Sequence, residues 1–155
     1  MDRAAMTRKV TRGFDGARLR QLRENHPTLS RRAELARVAG VGESTIDQWE
    51  RGLKSPSVKL LERVAVALGV SMDRLIDIPV AERFLGDWRV LRGMTQDEVA
   101  AATGLSISTI ARVESANVAL SPDYAERLAN ALSISAEEAQ AAWERARNRP
   151  PGTSA

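Results

Sequence analysis

The sequence predicts an all-α protein built as two tandem domains of five short helices each. Three observations carry that reading. From the mid-twenties of the first copy onward, an offset of 64 residues lays the chain onto itself without a gap. Leu35-Ala36 recurs as Val99-Ala100, Gly40-Val41 as Gly104-Leu105, Ser44-Thr45-Ile46 as Ser108-Thr109-Ile110, and Glu50 as Glu114. Arg63 recurs as Arg127, Ala67-Leu68 as Ala131-Leu132, and Ser71 as Ser135. Self-similarity held in one register marks a repeated structural unit. Helix start signals are frequent, and no stretch alternates apolar and polar residues as a half-buried strand does. The predicted domains are residues 14–78 and 79–149, preceded by a basic arm, 1–13, and followed by a tail, 150–155.

The first helix runs from Asp15 to Asn25, with Leu19 and Leu22 on helical spacing, and His26-Pro27 stops it. The second runs from about Ser30 to Ala39, where Gly40 supplies a turn. The third spans about Glu43 to Arg51 with Ile46 and Trp49 inward. Pro56-Ser57 opens the fourth, which reaches Leu68, and Ser71 caps a short fifth. A proline at Ile78-Pro79-Val80 disfavours a continuous helix there and marks the joint.

In the second copy, Thr95-Gln96-Asp97-Glu98 and Ser135-Ala136-Glu137-Glu138 are capping boxes, in which hydroxyl and carboxylate reciprocally satisfy orphan amides. Ser121-Pro122 is an N-cap with proline at the first helical position. The last helix, Ala136 to about Asn148, buries a stripe of Ala139, Ala142, Trp143 and Ala146 and stops before Pro150-Pro151.

Composition narrows the class. Hydrophobic residues at 43% and charged residues at 28% are globular proportions across these 155 residues. The absence of cysteine excludes disulfides, thiolate catalysis and cysteine-ligated metals. The longest stretch without a charged side chain, Val99 to Ala111, is too short for a membrane span, and the N-terminus lacks a signal-peptide apolar run. The expected location is the cytoplasm. The net charge of +3 is unevenly spread: +3 over residues 1–13, +2 over 14–78 and −2 over 79–155. A polyanion is therefore expected to meet the N-terminal half first. Only Lys9, Lys54 and Lys59 are lysine. The arginine excess fits GC-rich coding and also bidentate contact with phosphate and guanine.

A helix ending in glycine, a short turn, and a second helix with an inward isoleucine is a pattern whose second helix can enter the DNA major groove. Through Glu34-Leu35-Ala36, then Gly40 to Gly52, then Ala67-Leu68-Gly69-Val70, the sequence resembles the lambda-repressor-like helix-turn-helix family of Cro and CI type. Thr95 to Ala100 and Ser108 to Glu114 resemble it again, so the resemblance covers about residues 15–140. It implies two tandem five-helix domains, each with an arginine of the first helix paired to the glutamate ending the third: Arg23 with Glu50, and Arg89 with Glu114.

Carried over position by position, the resemblance makes Gly42, Glu43, Ser44, Asp47 and Gln48 the base-reading face of copy one. Gln48 suits adenine, and Glu43 suits the cytosine amino group. Phosphate contacts fall to Arg31, Arg32, Arg51 and Lys54, which also offset the two carboxylates, unless they are only a solvated surface. In copy two the face is Ser106, Ile107, Ser108, Ala111 and Arg112, with Gln96 at a phosphate position. Arg112 suits guanine and Ile107 a thymine methyl. Copy two departs from the pattern where Ser115-Ala116-Asn117 replaces Arg51-Gly52, which leaves open a packing or dimerisation role. Arg3, Arg8, Lys9 and Arg12 form an arm suited to a minor groove or to phosphates, or a solvated tail. Trp49, Trp88 and Trp143 read as core, and His26 has no partner for metal or acid–base work.

The functional expectation is a sequence-specific repressor of transcription that occupies double-stranded DNA, not an enzyme, with no cofactor or metal. Two unlike recognition helices imply an asymmetric site read by a monomer, and no cleavable oligomerisation domain is expected to follow. The layout resembles immunity repressors of temperate phages of high-GC hosts, which places it at the nucleoid of a bacterial host. The alternatives are a homodimer on a palindromic operator, and a protein-binding adaptor of antitoxin or co-regulator type.

Overall fold

The computed structural model describes residues 11–155 and divides the chain into two compact units between Asp77 and Ile78. Unit one contains α1 (Gly16–Glu24), α2 (Arg32–Ala39), α3 (Glu43–Glu50) and α4 (Val58–Leu68), then a 3-10 turn, Met72–Arg74. Unit two begins with a 3-10 turn, Val80–Glu82, followed by α5 (Leu85–Leu91), α6 (Gln96–Thr103), α7 (Ile107–Glu114), α8 (Pro122–Leu132) and α9 (Ala136–Arg147). The described residues are all-helical apart from one isolated bridge, Phe14 with Ile76.

The 64-residue register holds in three dimensions. The boundaries of α2, α3 and α4 become those of α6, α7 and α8 when shifted by that offset. Core positions coincide as well: Leu35 with Val99, Ile46 with Ile110, Trp49 with Val113, Leu61 with Ala125, Val64 with Leu128, and Leu68 with Leu132, all buried. Helices of eight residues are unstable alone. Each of these is held by one apolar face packed on its neighbours: α2 on α3 and α4 in unit one, α6 on α7 and α8 in unit two.

Caps fix where the helices start. Asp15 accepts the Ala17 amide, and the hydroxyls of Ser57, Thr95, Ser106, Ser121 and Ser135 each accept the amide three residues on. Thr95 and Glu98 form the full reciprocal box. Ser135 and Glu138 do not: Ser135 accepts the Glu138 amide, but the Glu138 carboxylate turns to the Arg145 guanidinium at 3.3 Å. A charged partner two turns further along outcompetes the neutral amide at the helix start. Ser71 is likewise no cap, since its hydroxyl goes to the Asp73 carboxylate.

The two copies close differently. After α4 the chain of unit one makes only the 3-10 turn and then lies against its own beginning, with the Asp77 amide donating to the Gly13 carbonyl at 2.9 Å. Leu75 and Ile76, both buried, complete that core. Unit two continues into α9, whose Ala139, Ala142 and Ala146 are fully buried. Small side chains at that spacing let α9 lie close on α8, and Trp143, half-buried, donates its indole N–H to the Val118 carbonyl at 3.1 Å. The predicted five helices per copy are thus five in unit two, and four plus one 3-10 turn in unit one.

Candidate nucleic-acid interface

Gly40 and Gly104 end α2 and α6 in the left-handed region, φ 72° and 75°. That conformation reverses the chain within a few residues and is open to glycine at little cost. It sets α3 and α7 with one face against the core and the other toward solvent. In unit one Ile46 and Trp49 are buried, while Gly42, Glu43 and Ser44 are exposed and Asp47 and Gln48 half-buried. In unit two Ile110 and Val113 are buried, Ser106, Ile107, Ser108 and Arg112 are exposed, and Ala111 is half-buried. The residues assigned to each base-reading face therefore share one outward surface.

Behind each outward face lies a buried ion pair. Arg23 Nε donates to Glu50 Oε2 at 2.6 Å, and Arg89 Nε to Glu114 Oε2 at 2.7 Å. The hydrogen bond to Glu50 raises the Arg23 pKa further above its ordinary value, against the opposing effect of burial. The second arm of each guanidinium reaches the backbone just before the second helix, at the Ser30 and Met94 carbonyls. One arginine thus ties three elements together: its own helix, the end of the outward helix, and the lead-in to the helix between them.

The cations assigned to phosphates fall into two groups. Arg31, at the N-cap position of α2, and Lys54, in the loop after α3, are exposed. Arg32 and Arg51 are engaged: Arg32 Nη1 lies 3.5 Å from Asp47 Oδ1 and its Nε 3.4 Å from Glu50 Oε1, while Arg51 Nη1 lies 3.5 Å from Asp47 Oδ2. In unit two Gln96 occupies the place of Arg32 and donates to Glu114 Oε1 at 3.1 Å. Arg12 is exposed, whereas Arg3, Arg8 and Lys9 lie outside the described residues. Thr11 is tied to the loop that follows α3: its amide donates to the Ser55 hydroxyl at 2.6 Å and its hydroxyl to the Pro56 carbonyl.

A helix-turn-helix family profile matches residues 19–75 and again 85–138. The chain belongs to the helix-turn-helix family. No curated protein matches the chain. As a helix-turn-helix protein it has DNA as its partner. Among the described residues no helix is long and apolar enough to cross a membrane.

Two sets of residues at this helix-turn-helix surface escaped sequence reasoning. Arg149 Nη1 donates to the Ser115 carbonyl at 2.8 Å and Arg147 Nη1 faces the Ala116 carbonyl at 3.5 Å, so the last residue of α9 and the segment just after it hold the end of α7. Nothing in their spacing points to carbonyls more than thirty residues away. Leu53, 53% exposed beside Lys54, is the other: a large apolar side chain in a turn-rich loop was the available signal. Trp49 and Trp88 are buried core residues as expected, with Trp88 also lying under the guanidinium of Arg83 at 4.5 Å. The ring nitrogen Nδ1 of His26 accepts the amides of Thr28 and Leu29, both at 3.1 Å, which makes it a loop cap.

Proposed function

We propose that the chain is a transcriptional repressor that occupies an asymmetric duplex site as a monomer, reading one half with α3 and the other with α7. The observation that carries this reading is the pair of unlike outward faces repeated in one register: Glu43, Ser44, Asp47 and Gln48 against Ser106, Ile107, Ser108 and Arg112. A single recognition helix specifies few bases, and related domains gain length by pairing over about one helical turn, roughly 34 Å. Two heads in one chain supply the same length without a partner copy, and because they differ chemically, the two half-sites differ. Arg112 donates two parallel hydrogen bonds to guanine, Ile107 covers a thymine methyl, and Gln48 pairs with adenine. Arg31, Lys54 and the arm residues Arg3, Arg8, Lys9 and Arg12 contact phosphates or the minor groove and hold the register.

The action is occupancy rather than chemistry, and the setting that suits it is a bacterial cytoplasm in which such a chain keeps a temperate phage silent. The resemblance of the tandem layout to phage immunity repressors supports that narrower part.

Selection of bound duplexes from a random pool at defined salt tests the proposal. An asymmetric motif of about one helical turn or slightly more is expected. A palindrome shifts the reading to a homodimer using one head per chain, and no enrichment shifts it to a protein-binding adaptor.

A further inference from the structure

The two outward faces differ at three places that the structure joins in unit one. Where unit one has Arg32, Asp47 and Arg51, the 64-residue register gives unit two Gln96, Ala111 and Ser115. The Asp47 carboxylate lies between two guanidiniums, one oxygen 3.5 Å from Arg32 and the other 3.5 Å from Arg51. In unit two the corresponding positions carry no charge at all, and of the contacts made by Arg32 only the one to the buried glutamate has a counterpart, from Gln96 to Glu114. The charged trio is present whole in one copy and absent whole in the other. Side-chain exposures of 39% for Arg32, 32% for Asp47 and 64% for Arg51 make the two Asp47 contacts screened ones that add little to folding, whereas Arg32 Nε also lies 3.4 Å from the buried Glu50 carboxylate. Stability therefore does not account for a carboxylate set between two arginines on this surface.

Charge accounts for them better. Guanidinium donors left open beside a recognition helix, those of Arg51 and the Nη groups of Arg32, bind phosphate regardless of sequence. A carboxylate between them lowers the local charge and competes with phosphate for the same N–H donors. We propose that Asp47 is a specificity-determining residue of unit one: it restrains Arg32 and Arg51 until the base pair opposite supplies an amino group, N4 of cytosine or N6 of adenine. The inference rests on the reading of α3 as a base-reading helix. On such a base pair the amino group becomes the carboxylate's partner, and both arginines turn to the backbone. On any other base pair the carboxylate faces acceptors and phosphates, and the arginines stay shared. Base readout and phosphate contact are thereby made together or not at all. Unit two, with Ala111 at this position and Arg112 exposed, has no such restraint.

The test compares the full chain with its Asp47→Asn and Asp47→Ala variants. Binding is followed by fluorescence anisotropy over a salt series on two probes, the duplex selected by the wild type and a scrambled duplex of the same composition. On the scrambled duplex both variants are expected to bind roughly 3- to 10-fold tighter at low salt, with a log–log salt slope steeper by about 1 to 2. On the selected duplex, discrimination against a changed base pair in the half read by α3 falls about tenfold, and in the half read by α7 it does not change. Adding Arg32→Gln and Arg51→Gln to Asp47→Asn returns the scrambled-duplex affinity to the wild-type value or below. A wild type that selects a motif while both variants keep its scrambled-duplex affinity and slope overturns this inference alone. A wild type that selects no duplex overturns the base-reading assignment and this inference with it. Loss of the folded circular-dichroism spectrum in both variants makes Asp47 a structural residue and also overturns it.

Discussion

The Arg23 guanidinium holds the Glu50 carboxylate with two donors, Nε to Oε2 at 2.6 Å and Nη2 to Oε1 at 2.9 Å, across 27 residues of sequence. Arg89 and Glu114 repeat the contact at 2.7 and 3.3 Å across 25 residues, so the first copy accommodates two extra residues between the same partners. The pair fixes the end of each outward helix against the first helix of its unit. Its energetics differ between copies because solvent reaches them differently: the side chains are 6% and 3% exposed in unit one, 15% and 10% in unit two.

Glu50→Ala leaves the Arg23 guanidinium buried without its counter-ion and is expected to destabilise unit one by about 3–5 kcal/mol. Glu114→Ala is expected to cost less, since water reaches Arg89 and part of its charge is resolvated. Arg23→Met combined with Glu50→Leu recovers a large part of the unit-one loss, because an apolar pair leaves no stranded charge. Urea unfolding of each variant checks the order. Equal losses at the two sites count against the difference in burial as the cause.

Gly16→Ala tests how closely α1 approaches the end of α3. A Cβ built on Gly16 lies 2.1 Å from the Trp49 carbonyl oxygen, and a backbone atom cannot swing aside as a flexible side chain does. One helix has to shift, and overpacking of this kind costs about 1–3 kcal/mol or more. The expected result is a lower melting temperature for unit one with unit two unaffected. A variant as stable as the wild type means that α1 is not seated where its backbone lies here.

Ser133→Gly acts in the opposite direction. Ser133 ends α8 at φ 57°, in the left-handed region, where its counterpart Gly69 ends α4 at φ 72°. Its side chain is exposed, so the change removes backbone strain with little loss of packing. A gain of about 1 kcal/mol in unit two is expected, and Gly69→Ser is expected to cost unit one a similar amount. Ala116, at φ 59° in the place of Gly52, is not an equivalent test, because its methyl group is buried against Phe84 and Ala146.

Much of this architecture was legible because its determinants are local or repeated. The glycines after α2 and α6, the opening of α4 at Pro56-Ser57, the serine cap of α8 and the inward Ile46 and Ile110 are read from spacing alone, and the repeat supports each by its twin. Glu138 shows where that reading stops. The box motif was present, but Arg145, seven residues on, faces the same carboxylate, and a motif cannot rank competing partners. Asp47 shows the same limit at the surface: sequence placed a carboxylate on the DNA-facing helix and cations nearby, but not the closure of Arg32 and Arg51 onto that one side chain. The closing of unit one without a fifth α-helix was equally hidden, because it depends on the Phe14 and Ile76 backbones meeting from opposite ends of the domain.

Arg112 and Gln48 decide whether both heads read bases. Arg112 projects from α7 with its guanidinium unengaged among the described residues, so a contact with a guanine edge would not require an ion pair to break first. Arg112→Ala is expected to relax preference at one position of the selected duplex by about 1–3 kcal/mol and to leave the other half-site unchanged. Arg112→Lys keeps the charge but loses the planar pair of donors, so it retains non-specific affinity while still losing discrimination at that position. Gln48→Ala is expected to relax a single position in the other half, at an adenine. Competition binding against single-base variants of the selected duplex separates these outcomes. If neither Arg112 substitution alters base preference, α7 is a packing element and the site is read by α3 alone, which a single chain cannot extend beyond one half-site.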